Sequence, residues 1–260
     1  LSAPLYEKRA ALVGQIPNFW PLVLEAAPPE VDEFVQPSDS ALFLSSLKNV
    51  SLKHFELEAG GDPRSFSVAF EFGDNEHFED KVIEKKFWYR HDKSLAWSGL
   101  VSEPVDITWK AGKDLTEGLL ALTKKVWEEE QAGIRAGKPV KGWTATRKEL
   151  HAKIEEKGLG GLSFFTWFGF IGTRVSAAES ADADRRERER RQMRKAGKEV
   201  PEEEDEDDEE EEEILEEIEV CPFGSDLAVS ISEDLWPTAI KYFSESLSAS
   251  SSSCSSGCAC

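Results

Sequence analysis

Ser65-Phe66-Ser67-Val68-Ala69-Phe70-Glu71-Phe72 alternates large apolar side chains with small or polar ones. A strand turns successive side chains to opposite faces, so this octet places Phe66, Val68, Phe70 and Phe72 on one buried face. Upstream, Val50 to Glu58 reads as a partner strand, joined through Gly60-Gly61-Asp62-Pro63, a strong turn signal. Downstream, Ile83, Phe87 and Tyr89 alternate with charged or amphipathic neighbours. Val101, Val105, Ile107 and Trp109 do the same after a turn near Ser98-Gly99. Four successive strands with hairpin-type links predict an antiparallel sheet.

Outward from the sheet the period becomes helical. Leu5 to Val13 has helical composition, and Asn18-Phe19-Trp20-Pro21 reads as the cap and first turn of a second helix, stopped by Pro28-Pro29. Ser38 is expected to cap a short helix with Ala41, Leu44 and Leu47 on one face. Beyond the strands, Asp114 to about Arg135 carries Leu115, Leu119, Leu122 and Val126 on one face. Gly137 to Gly142 breaks it, and Thr144 to Lys157 forms a weaker helix. Gly158, Gly160 and Gly161 mark a flexible link to the aromatic cluster Phe164, Phe165, Trp167, Phe168 and Phe170. Aromatic clusters are more often core than contact surface, so this one is expected to pack inside with Trp236. Asp226 to Phe243 returns to folded composition. The order of helices, strands, then helices predicts an α+β domain.

Charge is segregated. The net charge is −20 over 260 residues, and every position from Glu202 to Glu213 is acidic. With Glu216, Glu217 and Glu219, this one stretch holds roughly three quarters of the net charge. Such a block opposes its own compaction and attracts cationic partners while repelling nucleic acid and anionic membranes. The plain alternative is a solubilising linker with no specific partner. Just before it, Arg185, Arg186, Arg188, Arg190, Arg191, Arg194 and Lys195 form a basic stretch. It reads as a nuclear-import signal, as a phosphate contact, or as a charged helix folding back on the acidic run. The strong acidity argues against nucleic acid as a main partner. The import reading places the protein in the nucleus, with shuttling to the cytoplasm.

Other classes find little support. No segment is long and apolar enough to span a bilayer. The opening Leu1-Ser2-Ala3-Pro4 has no basic or apolar leader region, and its Leu start suggests a fragment. Three of the four cysteines crowd into the last seven residues, so no disulfide framework is expected and a reducing compartment is. The histidines at 54, 77, 91 and 151 are scattered, and Gly158-Leu159-Gly160-Gly161 lacks the lysine of a phosphate loop. Neither an enzyme, a cofactor nor a metal site is expected.

Five segments, in order, resemble one family. They are Ile16-Pro17-Asn18-Phe19-Trp20, the stretch from Asn75 to Ile83, the stretch from Ile107 to Thr116, Ser163-Phe164-Phe165-Thr166-Trp167-Phe168, and Glu233-Asp234-Leu235-Trp236-Pro237. Together they are similar to the nucleosome assembly protein/SET family of histone chaperones, on its SET-like branch. The resemblance implies an earmuff-type domain: a four-stranded antiparallel sheet backed by helices and carried on a long helix that pairs with a second chain. It implies core histones as partners, and neither cofactor nor catalysis. It implies an acidic histone-binding underside, for which Asp74, Glu76, Glu79, Asp80, Glu103, Asp106 and Asp114 are the candidates. Glu202, Glu203, Glu204, Asp205, Glu206, Asp207, Asp208, Glu209 and Glu210 are candidates in the acidic run. Some members of this branch work with a histone acetyltransferase or inhibit a phosphatase, which is the alternative function.

Two departures stand out. Leu1 to Ala11 matches only the last part of the long helix, which leaves a homodimer in question, and the main acidic run precedes the closing helix. The expected organisation is therefore as follows. Residues 1–27 end the dimerisation helix and add one more, and 28–170 form the domain with a helical insertion at about 117–160. Residues 171–221 are a disordered basic-then-acidic insertion, 222–245 the closing helices, and 246–260 a disordered Ser-rich tail.

Overall fold

The alternation at 66–72 becomes the second strand of a four-stranded sheet. The computed structural model describes residues 3–57, 61–92, 97–158, 161–197 and 209–255. In it, β1 (Leu47–Lys53), β2 (Phe66–Phe72), β3 (Val82–His91) and β4 (Ser98–Ser102) lie in sequence order, each pair of neighbours antiparallel. Phe70 faces Val50 on one side and Ile83 on the other, and Phe66 faces Phe87. All of these side chains are buried. The predicted α+β class and sheet are thus the observed ones.

Helices α1 (Ala3–Val13), α2 (Phe19–Glu25), α3 (Pro29–Asp32) and α4 (Pro37–Ser46) precede the sheet. Then come α5 (Leu119–Arg135), α6 (Ala145–Lys157) and a 3₁₀ turn, Phe164–Gly169. Next are α7 (Ala177–Lys195), α8 (Glu209–Glu217), α9 (Gly224–Val229), a π-helical turn and α10 (Ala239–Ser255). The aromatic 3₁₀ turn lies against the inner face of the sheet. Phe70 meets Phe164, Phe168 and Trp167 at 5.6, 5.9 and 6.2 Å between ring centroids, and Phe87 stacks on Trp167 at 5.3 Å. Each buried aromatic contributes roughly 1.5–3 kcal/mol of transfer free energy, so this cluster is the main adhesive of the fold. Trp236 belongs to the same core, but its ring contacts lie elsewhere than expected: it is tilted against Tyr6 at 4.4 Å, with the Arg9 guanidinium 4.2 Å over it. Its indole N–H donates to the Val50 carbonyl at 2.9 Å, tying the closing segment to β1.

Several boundaries differ from expectation for local reasons. Helix α4 starts earlier than Ser38, because Asp39 accepts the Gln36 N–H at 2.9 Å. The same buried carboxylate accepts from Ser163 Oγ at 2.6 Å and Phe164 N at 2.7 Å. Burial pushes its pKa up, against those hydrogen bonds. Because α4 ends at Ser46, Leu47 begins the strand; β1 stops at Lys53, and residues 58–60 lie outside the described ones. Ser98-Gly99 is strand, not turn. Strand β4 ends before Pro104, which has no N–H for the ladder. Val105 N instead donates to Phe168 O at 2.9 Å. Helix α5 starts at Leu119 because Asp114 closes a preceding turn, accepting from Thr116 N at 2.7 Å and Gly118 N at 2.8 Å.

The largest corrections fall in segments expected to be disordered. Within 171–221, α7 is built on a capping box between Ser176 and Glu179, and it seats Ala183, fully buried, while Ser180 Oγ accepts the His91 N–H at 3.0 Å. Helix α8 places four glutamates in its first turn, where the helix dipole favours them, and buries Ile214. Residues 198–208 lie outside the described ones. At the other end, α10 does not stop near 245 but continues to Ser255, with Tyr242 and Ser246 buried on its inner side. Residues 256–260 lie outside the described ones.

Candidate functional site

The first candidate surface is the loop between β2 and β3 together with the segment after β4. Asn75 Oδ1 accepts the N–H groups of His77 at 2.9 Å and Phe78 at 3.0 Å, a local turn that sends Phe78 into the core and leaves Glu76 and Glu79 outside. Phe78 bridges to Trp109, and Glu79 N donates to Thr108 O at 3.0 Å. The Asp80 carboxylate accepts from Thr108 N at 2.6 Å. These bonds gather Asp74, Glu76, Glu79, Asp80 and Asp114 at one corner. They also bring lysines there. Asp74 pairs with Lys81, and Glu76 pairs with Lys113 at 2.8 Å. Further along, Asp106 pairs with Lys124 at 2.7 Å, and Glu117 pairs with Lys157. Hydrogen bonds from these lysines hold Asp74, Glu76 and Glu117 below the ordinary carboxylate range. Asp80 and Asp114 shape turns. Only Glu79 and Glu103, both exposed, have carboxylates without a hydrogen bond or ion pair among the described residues, and no bond ties the Glu103 carboxylate to the corner.

The second surface is α8, the folded end of the acidic run. Its inner side buries Ile214, and the neighbouring Leu215 packs against a small core of Leu119, Val126, Leu150, Ile154, Ile218 and Val220 beneath α5 and α6. Glu211 reaches inward as well. It accepts from Gly142 N at 2.7 Å and pairs with Arg147 at 2.7 Å. Arg147 is almost fully buried, and its other terminal nitrogen pairs with Glu130 at 3.0 Å. Glu130 in turn pairs with Arg174 at 3.3 Å, and Arg174 lies 3.8 Å from Glu219. Glu219 accepts from Gly172 N at 2.9 Å. Five alternating charges therefore clamp α8 and fasten both roots of the 174–219 excursion side by side. A buried pair is weak as a source of net stability, but removing one partner strands a charge. Held this way, α8 turns Glu209, Glu210, Glu212, Glu213, Glu216 and Glu217 to solvent. Candidates Glu202 to Asp208 lie outside the described residues.

The sequence pattern of the family described as Nucleosome assembly protein (NAP) matches residues 3–246. The chain belongs to that family. It is 35% identical over 130 residues to Protein SET of Drosophila melanogaster, covering 48% of this chain and 44% of that protein. It is 29% identical over 143 residues to vacuolar protein sorting-associated protein 75 of Saccharomyces cerevisiae, covering 54% and 53%. The chain spans about half the length of the curated relatives it matches. Among solved structures, that of Vps75 superposes with a TM-score of 0.55 at 22% identity, over 95% of this chain and 85% of that one. Ccp1 follows closely, with a TM-score of 0.54 at 23% identity over 95% and 83%. At those identities the likeness is one of fold.

As a nucleosome assembly family member, the chain carries its basic stretch on α7. Arg185 and Arg186 pair with Asp182, and Arg191 pairs with Glu187 at 2.7 Å, all within the helix. Arg188 donates to the Asp184 carbonyl at 3.1 Å. Arg185, Arg188, Arg191, Arg194 and Lys195 are exposed, while Arg186 and Arg190 are half-buried. Two features escaped the sequence reading. One is the clamp, whose trace is Arg147 at helical spacing from Leu150 and Ile154. The other is Lys85, fully buried at an inward β3 position between Ile83 and Phe87. Its ammonium donates to the carbonyls of Phe170, Glu103 and Phe168 at 2.9, 3.0 and 3.1 Å. Burial lowers its pKa to about 7, against the pull of Glu219, Cys221 and Glu103. Among the described residues, no cluster of His, Cys, Asp and Glu is arranged to hold a metal ion.

Proposed function

We propose that this chain is a histone chaperone that binds core histones and shields their basic surface during nucleosome assembly and disassembly. The observation that carries the reading is the acidic helix α8, docked at its inner side and charged on its outer side, on a chain of the nucleosome assembly protein family. Histones are strongly basic, and a dense negative surface accelerates their capture and competes with DNA for them. Docking α8 in advance reduces the ordering entropy lost on binding. Glu202 to Asp208 extend the same charge toward α7 in sequence. Asp74, Glu76, Glu79, Asp80, Glu103, Asp106 and Asp114 form the secondary surface, with Glu79 and Glu103 its available charges. Exposed Arg188, Arg191, Arg194 and Lys195 support nuclear import through α7.

The test is a titration of the labelled chain with purified core histone complexes at about 0.15 M salt, where the Debye length is about 8 Å. A matched basic non-histone protein runs beside them. A clear preference for a histone complex, with an affinity that falls as salt rises, is the expected result. Equal binding to both proteins would reduce the acidic surface to a generic polyanion and end the chaperone reading.

A further inference from the structure

A cleft of about 370 Å³ opens between the α3–α4 link, the aromatic 3₁₀ turn and the segment that follows α8. Trp167 and Cys221, both buried, form part of its wall, and Phe34 is half-buried at one side. Three features are unexplained by the packing. Phe223 lines the cleft yet is 66% exposed, an unusual position for a large aromatic beside a preformed hollow. Thr166 lines it too, and its Oγ1 is buried without a hydrogen-bond partner among the described residues. An unpaired buried hydroxyl is costly and is normally satisfied by a ligand or a water. Finally, the exposed acid Glu33 is among the residues that line it.

The cleft is at the small end of ligand sites, which run from about 300 Å³ upward. That size suits one or two side chains and is too small for a docked helix. We infer that it seats a single apolar side chain of an extended cationic peptide, gripped between Phe34 and Phe223, with an adjacent Lys or Arg of the peptide paired to Glu33. Charge complementarity selects this occupant: the exposed Glu33 borders an apolar seat on a chain of net charge −20. The inference rests on the reading of the chain as a binder of basic proteins, and it adds a sequence preference that electrostatics alone does not supply.

Two fluorescent peptides of equal positive charge test it, one with Leu between its lysines and one with Ser there, titrated with the full chain at about 0.15 M salt. The Leu peptide is expected to bind at least about fivefold tighter, since burying a branched apolar side chain in a formed seat is worth that much or more. Phe223→Ser removes an exposed ring, so folding is preserved (checked by thermal melting), and it abolishes the difference between the peptides. Glu33→Gln weakens both peptides while keeping the Leu preference. Equal affinity for the two peptides overturns the proposal, as does a Leu preference that survives Phe223→Ser. A fall in self-association on Phe223→Ser, seen by sedimentation, also overturns it by making a second copy the occupant. Core histone titration of the same samples separates the two levels: histone binding with indifferent peptides sinks the cleft alone, and loss of histone binding in the unaltered chain sinks the function.

Discussion

The corner around Asp74 to Asp114 and the helix α8 look alike as sequence, since both are rich in acids. In the fold they differ. At the corner, Lys81, Lys113, Lys124 and Lys157 sit on the carboxylates of Asp74, Glu76, Asp106 and Glu117. On α8 the main pairing is turned inward: Glu211 takes Arg147, and the remaining glutamates face water, with His151 3.6 Å from Glu217. Sequence charge is therefore a poor measure of charge that a partner can use. What matters is which side of an element the cations occupy.

The sharpest way to break that contrast is to cut the clamp. Arg147→Met leaves Glu211 without its cation and Glu130 with Arg174 alone, both largely buried. A loss of about 3–5 kcal/mol in unfolding free energy is expected by chemical denaturation. Replacing Arg147, Glu130 and Glu211 together by apolar residues is expected to recover much of it, because no charge is then stranded. A single-variant loss no larger than that of a surface lysine would mean that α8 is not clamped.

Lys85 extends the comparison to a buried cation with carbonyls in place of a direct carboxylate partner. Its folded pKa of about 7 lies well below the 10.5 of a free lysine. Between those values the unfolded chain binds the proton and the folded one does not, so the Lys85 contribution to stability rises with pH across that window. It is lowest, and flat, below about pH 7. The free-energy difference between the natural chain and Lys85→Met is expected to grow by up to about 1.4 kcal/mol per pH unit from pH 7 to 9. A pH-independent difference would place the proton on Lys85 throughout.

Both features bear on what the residues disclose before folding. The sheet was legible because β2 alternates cleanly and its neighbours share its period. The family elements, from Ile16-Pro17-Asn18-Phe19-Trp20 to Glu233-Asp234-Leu235-Trp236-Pro237, added the closing segments. The errors arose where local composition outvoted packing. Helix α7 reads as a charged linker until Ser180 finds β3 and Ala183 is buried, and α8 reads as polyanion until Leu215 and Ile218 find α5 and α6. Asp39 was invisible as a cap because its other partners, Ser163 and Phe164, are more than a hundred residues away. Of the candidate site, the residue types were readable and most of their neutralisation was not, since Lys113, Lys124 and Lys157 reach Glu76, Asp106 and Glu117 from other segments and only Lys81 shares a loop with its partner Asp74.

Histone affinity measures the same difference directly. Glu212, Glu213, Glu216 and Glu217 changed together to Gln are expected to lower affinity for core histone complexes by about tenfold, or about 1.4 kcal/mol, and to flatten its salt dependence. Asp74, Glu76 and Asp106 changed to their amides are expected to cost less than about threefold, since their lysines already occupy them. Comparable losses from the two sets would show that histones displace the lysines, and the corner would then rank with α8.

The smallest effect is the most discriminating for the corner. Glu76 and Lys113 are both exposed and sit 2.8 Å apart. Exposed pairs hold little net energy, because ordering two long side chains offsets most of the attraction. Lys113→Ala is therefore expected to leave the denaturation midpoint where it is. The same change releases Glu76 from its only side-chain partner among the described residues and raises the net negative charge of the corner. If pairing is what silences this surface, Lys113→Ala strengthens histone binding modestly while stability stays constant, and Glu76→Gln on top of it removes the gain. A weakened complex from Lys113→Ala would mean that the lysine, and not the glutamate, is what the partner meets there.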